Sequence, residues 1–377
     1  MCELLHVSLL ALMGQGKIRF SHSFHSFAQE LSHTHRTHHL PHQYCNDFVL
    51  LQYWMRQLYF YWKQSPISES PESVLRLQSV MEAVDITIDL WAAEQRHELD
   101  NFPVGPLFDC VNCGKPYRYP GLSRDGKGTP TNASAGLTWT GFRPSDDECE
   151  YGFLVPANMM AVTALEYAAD MAVTLWDNPG LAAKAQKLAS EIQRGIEEHA
   201  IVDSPDGSGD KIYAYEVDGL GNHAFLDDAN VPSLLSIPYL GYKYDPRVYA
   251  NTRRVVLSPY NPTFNKGTNI LTGPIEGYGS PHMAKAIHDN IWPMALAVQG
   301  LTSDDRQEKI RIIESLVKAS AGTGWMHESF SANNPKRFTR SWFCWVSYHS
   351  TLSRIVLLEA ISLTTPLGAA HFFLDTG

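Results

Sequence analysis

Long segments whose apolar side chains recur every three or four positions follow one another along this chain, with no regular strand–helix alternation between them. Phe48, Leu51, Trp54, Met55, Leu58 and Tyr61 set the pattern, which puts one buried stripe on a helix. Ser70-Pro-Glu72 opens a second helix, since proline suits a first helical turn. Val74, Leu77, Val80, Met81, Val84, Ile88, Leu90 and Trp91 continue it. Further helices are predicted near 155–175, 180–200, 245–257, 282–300, 303–320 and 338–362. Ser145-Asp-Asp-Glu148 has capping-box spacing and predicts another helix start. Lys211 to Asp218 alternates ahead of Gly219-Leu-Gly221, which reads as a short hairpin strand. This order argues against a doubly wound sheet. The remaining architectures are a helical barrel or a solenoid, and no short repeat period favours the common solenoids.

The 377 residues are 44% hydrophobic and 19% charged, enough apolar material for a sizeable core without disulfide staples. The net charge of −10 argues against a nucleic-acid partner, whose phosphates call for a basic face. No apolar run approaches the length needed to cross a bilayer. The apolar run from Val7 to Met13 lacks the basic flank of a secretion signal. Six cysteines are scattered and make no disulfide framework. Cys110-Val-Asn-Cys113 is half of a zinc ribbon without its second half, so no metal is expected there.

Residues 1–45 stand apart. Eight of the 16 histidines fall between His6 and His42, with no periodic apolar face. A metal-binding tract is one reading, and a terminus outside the fold is the preferred one. The folded domain is therefore placed at 46–377. Within it, 101–137 reads as a long loop, and such loops are commonly functional.

Three loop segments combine carboxylates, aromatic rings and a basic residue. They are Trp139 to Asp147, Leu226 to Pro232, and Gly324 to Phe330 continuing to Trp342. Paired carboxylates beside apolar rings suit glycoside hydrolysis, where one protonates the leaving oxygen while the other activates water or attacks. Helix or turn capping is the competing use of Asp146, Asp147, Asp227 and Asp228. No phosphate-binding glycine loop, HExxH or GxSxG motif is present.

At these residues the chain resembles glycoside hydrolase family 125. The first block is Gly136-Leu-Thr-Trp-Thr-Gly-Phe-Arg-Pro-Ser-Asp-Asp-Glu-Cys-Glu-Tyr-Gly-Phe-Leu-Val-Pro-Ala-Asn-Met159. Asp227-Asp-Ala-Asn-Val-Pro-Ser-Leu-Leu-Ser-Ile-Pro-Tyr-Leu-Gly241 and Gly277-Tyr-Gly-Ser-Pro-His282 follow it. Ile291-Trp-Pro-Met-Ala-Leu-Ala297 and Gly324-Trp-Met-His-Glu-Ser-Phe330 complete the set, all in the family's order.

The resemblance, over about residues 45–362, implies a mainly α (α/α)6 barrel. The family's opening segment, similar to Met-Trp-Leu-Arg-Asp-Ser, has no counterpart here, so an N-terminally incomplete barrel is expected. The implied activity is that of an inverting exo-α-mannosidase acting on non-reducing α-1,6-linked mannose, without metal or cofactor. Its partner would be a mannose-containing oligosaccharide or glycan. Asp146 or Asp147 would be the general acid, with Asp146 preferred, and Glu328 the general base. Trp139 and Trp325 would stack on sugar. Arg143 and Arg340 would hold hydroxyls or orient a carboxylate. Asp228, Asn230, His282 and His327 would bond mannose hydroxyls. A barrel that binds mannose without turnover is the alternative.

Overall fold

Proline in the first turn marks where four of the longer helices among the described residues begin. The computed structural model describes residues 48–64, 78–99, 122–268 and 274–343. The His-rich N-terminus, the Cys110/Cys113 pair, the start of the second predicted helix and most of the predicted 338–362 helix lie outside those residues.

Seven helices longer than one turn occur among the described residues. They are α1 (Phe48–Gln64), α2 (Gln78–Glu94), α3 (Val155–Thr174), α4 (Pro179–His199), α5 (Pro246–Val256), α6 (Pro293–Leu301) and α7 (Arg306–Ala319). Proline opens α4, α5 and α6, where its missing N–H costs no helical bond. Asn178 caps α4 by accepting the Leu181 N–H, and Asp245 caps α5 by accepting those of Arg247 and Val248.

The helices pair as an apolar inner member with an amphipathic outer one. α3 is buried over nearly its whole surface. Against it packs α4, which buries only Leu181, Ala185, Leu188, Ile192, Ile196 and their neighbours on one stripe. The same relation joins the apolar α6 to α7. α1 packs on α3, and α2 touches both α3 and α4, with Lys184 of α4 paired to Asp85 and Asp89 of α2.

Among the described residues ten short strands punctuate the connections: β1 (Phe153–Leu154), β2 (Ile201–Asp203), β3 (Lys211–Tyr213), β4 (Glu216–Val217), β5 (His223–Ala224), β6 (Phe264–Lys266), β7 (Glu276–Tyr278), β8 (Asn290–Ile291), β9 (Ser329–Ser331) and β10 (Asn334–Thr339). They form small antiparallel sheets, β1-β4-β5, β10-β9-β8, β2-β3 and β6-β7. One large core joins α1 to α4, and a smaller one gathers Ile275, Ile291, Leu296, Ile312, Leu316 and Phe330.

Three predicted elements are corrected. The 211–218 strand breaks at Ala214-Tyr215, so β3 pairs with β2 while β4 pairs with β1 and β5. The 282–300 helix shrinks to α6, because Asn290 and Ile291 pair with β9 and Pro293 can only open a helix. The described start of the 338–362 segment is strand, since Phe338 and Thr339 pair with Phe330 and Ser329.

Candidate active site

The Ser145–Glu148 segment is a hairpin, not the helix start its spacing predicts. The Cys149 N–H donates to the Gly141 carbonyl (2.9 Å) and the Arg143 N–H to that of Asp147 (2.8 Å). This pairing occupies the backbone groups that a helix would need, and α3 begins only at Val155 with Pro156 in its first turn. Asp146 holds a left-handed φ of 69° and is exposed. Asp147, half-buried, is directed instead to His282, whose Nδ1 lies 3.0 Å from Oδ1.

Arg143 and Trp139 serve the framework beneath this hairpin. Arg143 Nε donates to the fully buried Glu216 (2.5 Å), whose other oxygen accepts the Tyr151 N–H. Burial alone would lower the guanidinium pKa, but the adjacent Glu216 carboxylate raises it above its usual value. Trp139 is buried with its ring stacked on His97, centroids 3.5 Å apart.

The second loop turns its carboxylates inward. Asp227 accepts the N–H groups of Leu234 (2.8 Å) and Leu235 (3.0 Å), the capping use that its position allows. Burial pushes its pKa up to about 7, with the Asp228 charge adding and the two N–H donors opposing. Asp228 is fully buried. Its Oδ1 accepts the Asn230 N–H (3.1 Å) and Nδ2 (2.8 Å), and its Oδ2 accepts the Ser280 hydroxyl (3.0 Å). Burial raises its pKa, while these donors oppose the shift.

The third loop carries His282 on a single 3-10 turn, Pro281–Met283, capped by Ser280. It is tied to the second loop by the Ala229 N–H donating to the Gly279 carbonyl (3.2 Å). Asn290 fixes it from behind. Its Oδ1 accepts the Ser280 N–H (3.0 Å), and its Nδ2 donates to the carbonyls of Ser280 and Ile287. A Cβ on Gly279 would collide with Asn290, so only glycine allows this approach.

Glu328 precedes β9, which pairs with β8 through Ser331 opposite Asn290 and Phe330 opposite Ile291. The Glu328 side chain is buried, and Arg340 Nε lies 3.2 Å from its Oε1. Arg340 is largely exposed and turns the chain with φ 45°. His327 points elsewhere. Its ring is fully buried, stacks on Phe338 at 3.6 Å and contacts the carbonyls of Ser341 and Ser320. Trp325 is exposed.

The fold thus links Asp147, His282, Asp228 and Asn230 across three loops and sets Glu328 with Arg340 on a fourth. Trp139, Arg143 and His327 are committed to the interior. Sequence reasoning missed Ser280, Asn290 and Glu216. Serine followed by proline is a helix-capping signature that marks Ser280; nothing local marks the other two. Among the described residues no three His, Cys, Asp or Glu side chains converge as a metal ion would require.

The carboxylates of the site sit on the connections between the packed helices of a mainly helical fold. Residues 56–356 match the family model of metal-independent alpha-mannosidases, glycoside hydrolase family 125. The chain belongs to this family, and its mainly helical architecture is the (α/α)6 barrel. A metal-independent alpha mannosidase from Streptococcus pneumoniae, solved in a non-productive complex with alpha-1,6-mannobiose, superposes with a TM-score of 0.71 at 35% identity. The superposition covers 84% of this chain and 69% of that one. The meiotically up-regulated gene 157 protein of Schizosaccharomyces pombe is 45% identical over 228 residues, 60% of this chain. The match spans 43% of that relative, less than half its length.

Proposed function

We propose that the chain is an inverting exo-α-mannosidase that releases non-reducing α-1,6-linked mannose, with Asp147 as general acid and Glu328 as general base. The observation that carries this reading is the placement of two carboxylates on separate loops of a family 125 scaffold, each with its own partner, His282 for Asp147 and Arg340 for Glu328. Asp147 is preferred to Asp146 because the left-handed turn leaves Asp146 in solvent while Asp147 is held against another loop. The α-1,6 linkage is supported by the disaccharide bound to the Streptococcus pneumoniae relative.

In this mechanism Asp147 gives its proton to the glycosidic oxygen as the bond from C1 to that oxygen breaks. Glu328 takes a proton from a water whose oxygen bonds to C1 from the opposite face. The product is mannose of inverted configuration. Solvent then returns a proton to Asp147 and removes one from Glu328. Arg340, paired with Glu328, and the exposed Trp325 are the proposed sugar contacts on that loop, with Asn230 on the second.

The test is incubation of the chain with α-1,6-mannobiose and chelator, with the first-formed anomer followed by NMR. Release of β-mannose is expected, and Glu328→Gln should abolish it. No mannose from a chain that melts cooperatively would overturn the reading in favour of glycan binding without turnover.

A further inference from the structure

Ser280 is bound on every side, yet no step of the proposed reaction uses it. Its hydroxyl donates to Asp228 Oδ2 (3.0 Å) and accepts the His282 N–H (3.3 Å). Its backbone N–H and carbonyl are both held by the Asn290 side chain. The residue is 1% exposed, so it cannot meet a sugar. The turn that it caps carries His282, whose ring reaches Asp147.

Asp228 completes the connection. It is fully buried, and Asn230 and Ser280 occupy its two oxygens. A buried carboxylate whose acceptors are filled by the protein is a fixed anchor rather than a sugar ligand. The Ala229–Gly279 backbone bond holds the same two loops together. Asp228, Ser280 and His282 therefore form a chain running from the interior to the half-exposed Asp147.

We propose that Ser280, anchored on Asp228, is a positioning residue for the general acid: it fixes the turn that places the His282 ring against Asp147, and so sets the angle from which the leaving oxygen is protonated. The proposal rests on the mannosidase reading above. It concerns the acid alone, because among the described residues Asp228, Ser280 and His282 make no bond to Glu328, whose side chain is held by Arg340. A misplaced acid costs rate only where the leaving group needs a proton.

Leaving-group dependence tests it. α-1,6-Mannobiose departs as a sugar alcohol and needs the proton. α-Mannosyl fluoride departs as fluoride and does not. Ser280→Ala, in a chain that melts cooperatively, should lower kcat for the disaccharide by about 10- to 100-fold with KM little changed. Its kcat for the fluoride should fall no more than about threefold, an expectation from the same acid-catalysis argument. His282→Gln, at a half-exposed surface position, should give the same split and carries the test if Ser280→Ala does not fold. Equal losses on both substrates, or no loss on either, would overturn the positioning role while leaving the mannosidase reading intact. A wild-type chain that cleaves neither substrate would overturn both.

Discussion

Nδ1 of His282 lies 3.0 Å from Oδ1 of Asp147, joining two loops separated by 135 residues of sequence. The neighbouring Asp146 takes no part, because its left-handed backbone turns it to solvent. Two adjacent aspartates thereby acquire different surroundings. Asp147→Asn should reduce kcat on α-1,6-mannobiose by about 10²–10⁴-fold, the usual worth of a general acid. Asp146→Asn should stay within a fewfold of wild type. Initial rates of mannose release decide between them, and the reverse ranking would reassign the acid to Asp146.

The Arg143–Glu216 pair is 8% and 0% exposed. Removing one member leaves the other buried without its counter-charge. Arg143→Met should destabilise the fold by about 3–5 kcal/mol, seen as a lower denaturant midpoint. A midpoint unchanged from wild type would mean that Glu216 finds another partner.

Asp227 links stability to pH. Its pKa in the folded chain is pushed from 3.8 up to about 7, chiefly by burial. Across that interval the folded chain holds a proton that the unfolded chain has released, so unfolding free energy falls as pH rises. The Asp227 contribution is fully present below the unfolded value and is lost as pH passes through the folded one. Chemical denaturation from pH 4 to 7 should show this decline, and Asp227→Asn should make it shallower. A variant with the wild-type slope would assign the decline to other groups.

Gly279 lets the Ser280 turn rest directly on Asn290. Gly279→Ala must push the two apart, at a cost of about 1–3 kcal/mol for an overpacked interior. The melting temperature should drop, and disaccharide hydrolysis should fall beyond what the remaining folded fraction explains. A wild-type melt would mean that the turn relaxes freely.

Much of the helical framework was legible because its signals are local. The stripes of α1, α4 and α7 recur at helical spacing, and Pro179, Pro246 and Pro293 mark helix starts wherever the reading respects them. The five family blocks placed the loops that carry Asp147, Asp228, His282 and Glu328. Ser145–Glu148 misled because a capping box and a hairpin turn use the same residues, and the choice fell to pairing between Phe142 and Glu148.

The sequence by itself determined that this chain folds as mainly α, which family it joins and which acidic motifs it carries, since periodicity, caps and motif order are properties of neighbours along the chain. Only the tertiary structure decided that Arg143 answers to Glu216, that Trp139 lies against His97, and that Ser280 stands between Asp228 and His282. Those choices turn on burial. A polar group removed from water must find a partner wherever the packed chain supplies one, and these partners lie 42 to 73 residues apart in Trp139–His97, Ser280–Asp228 and Arg143–Glu216.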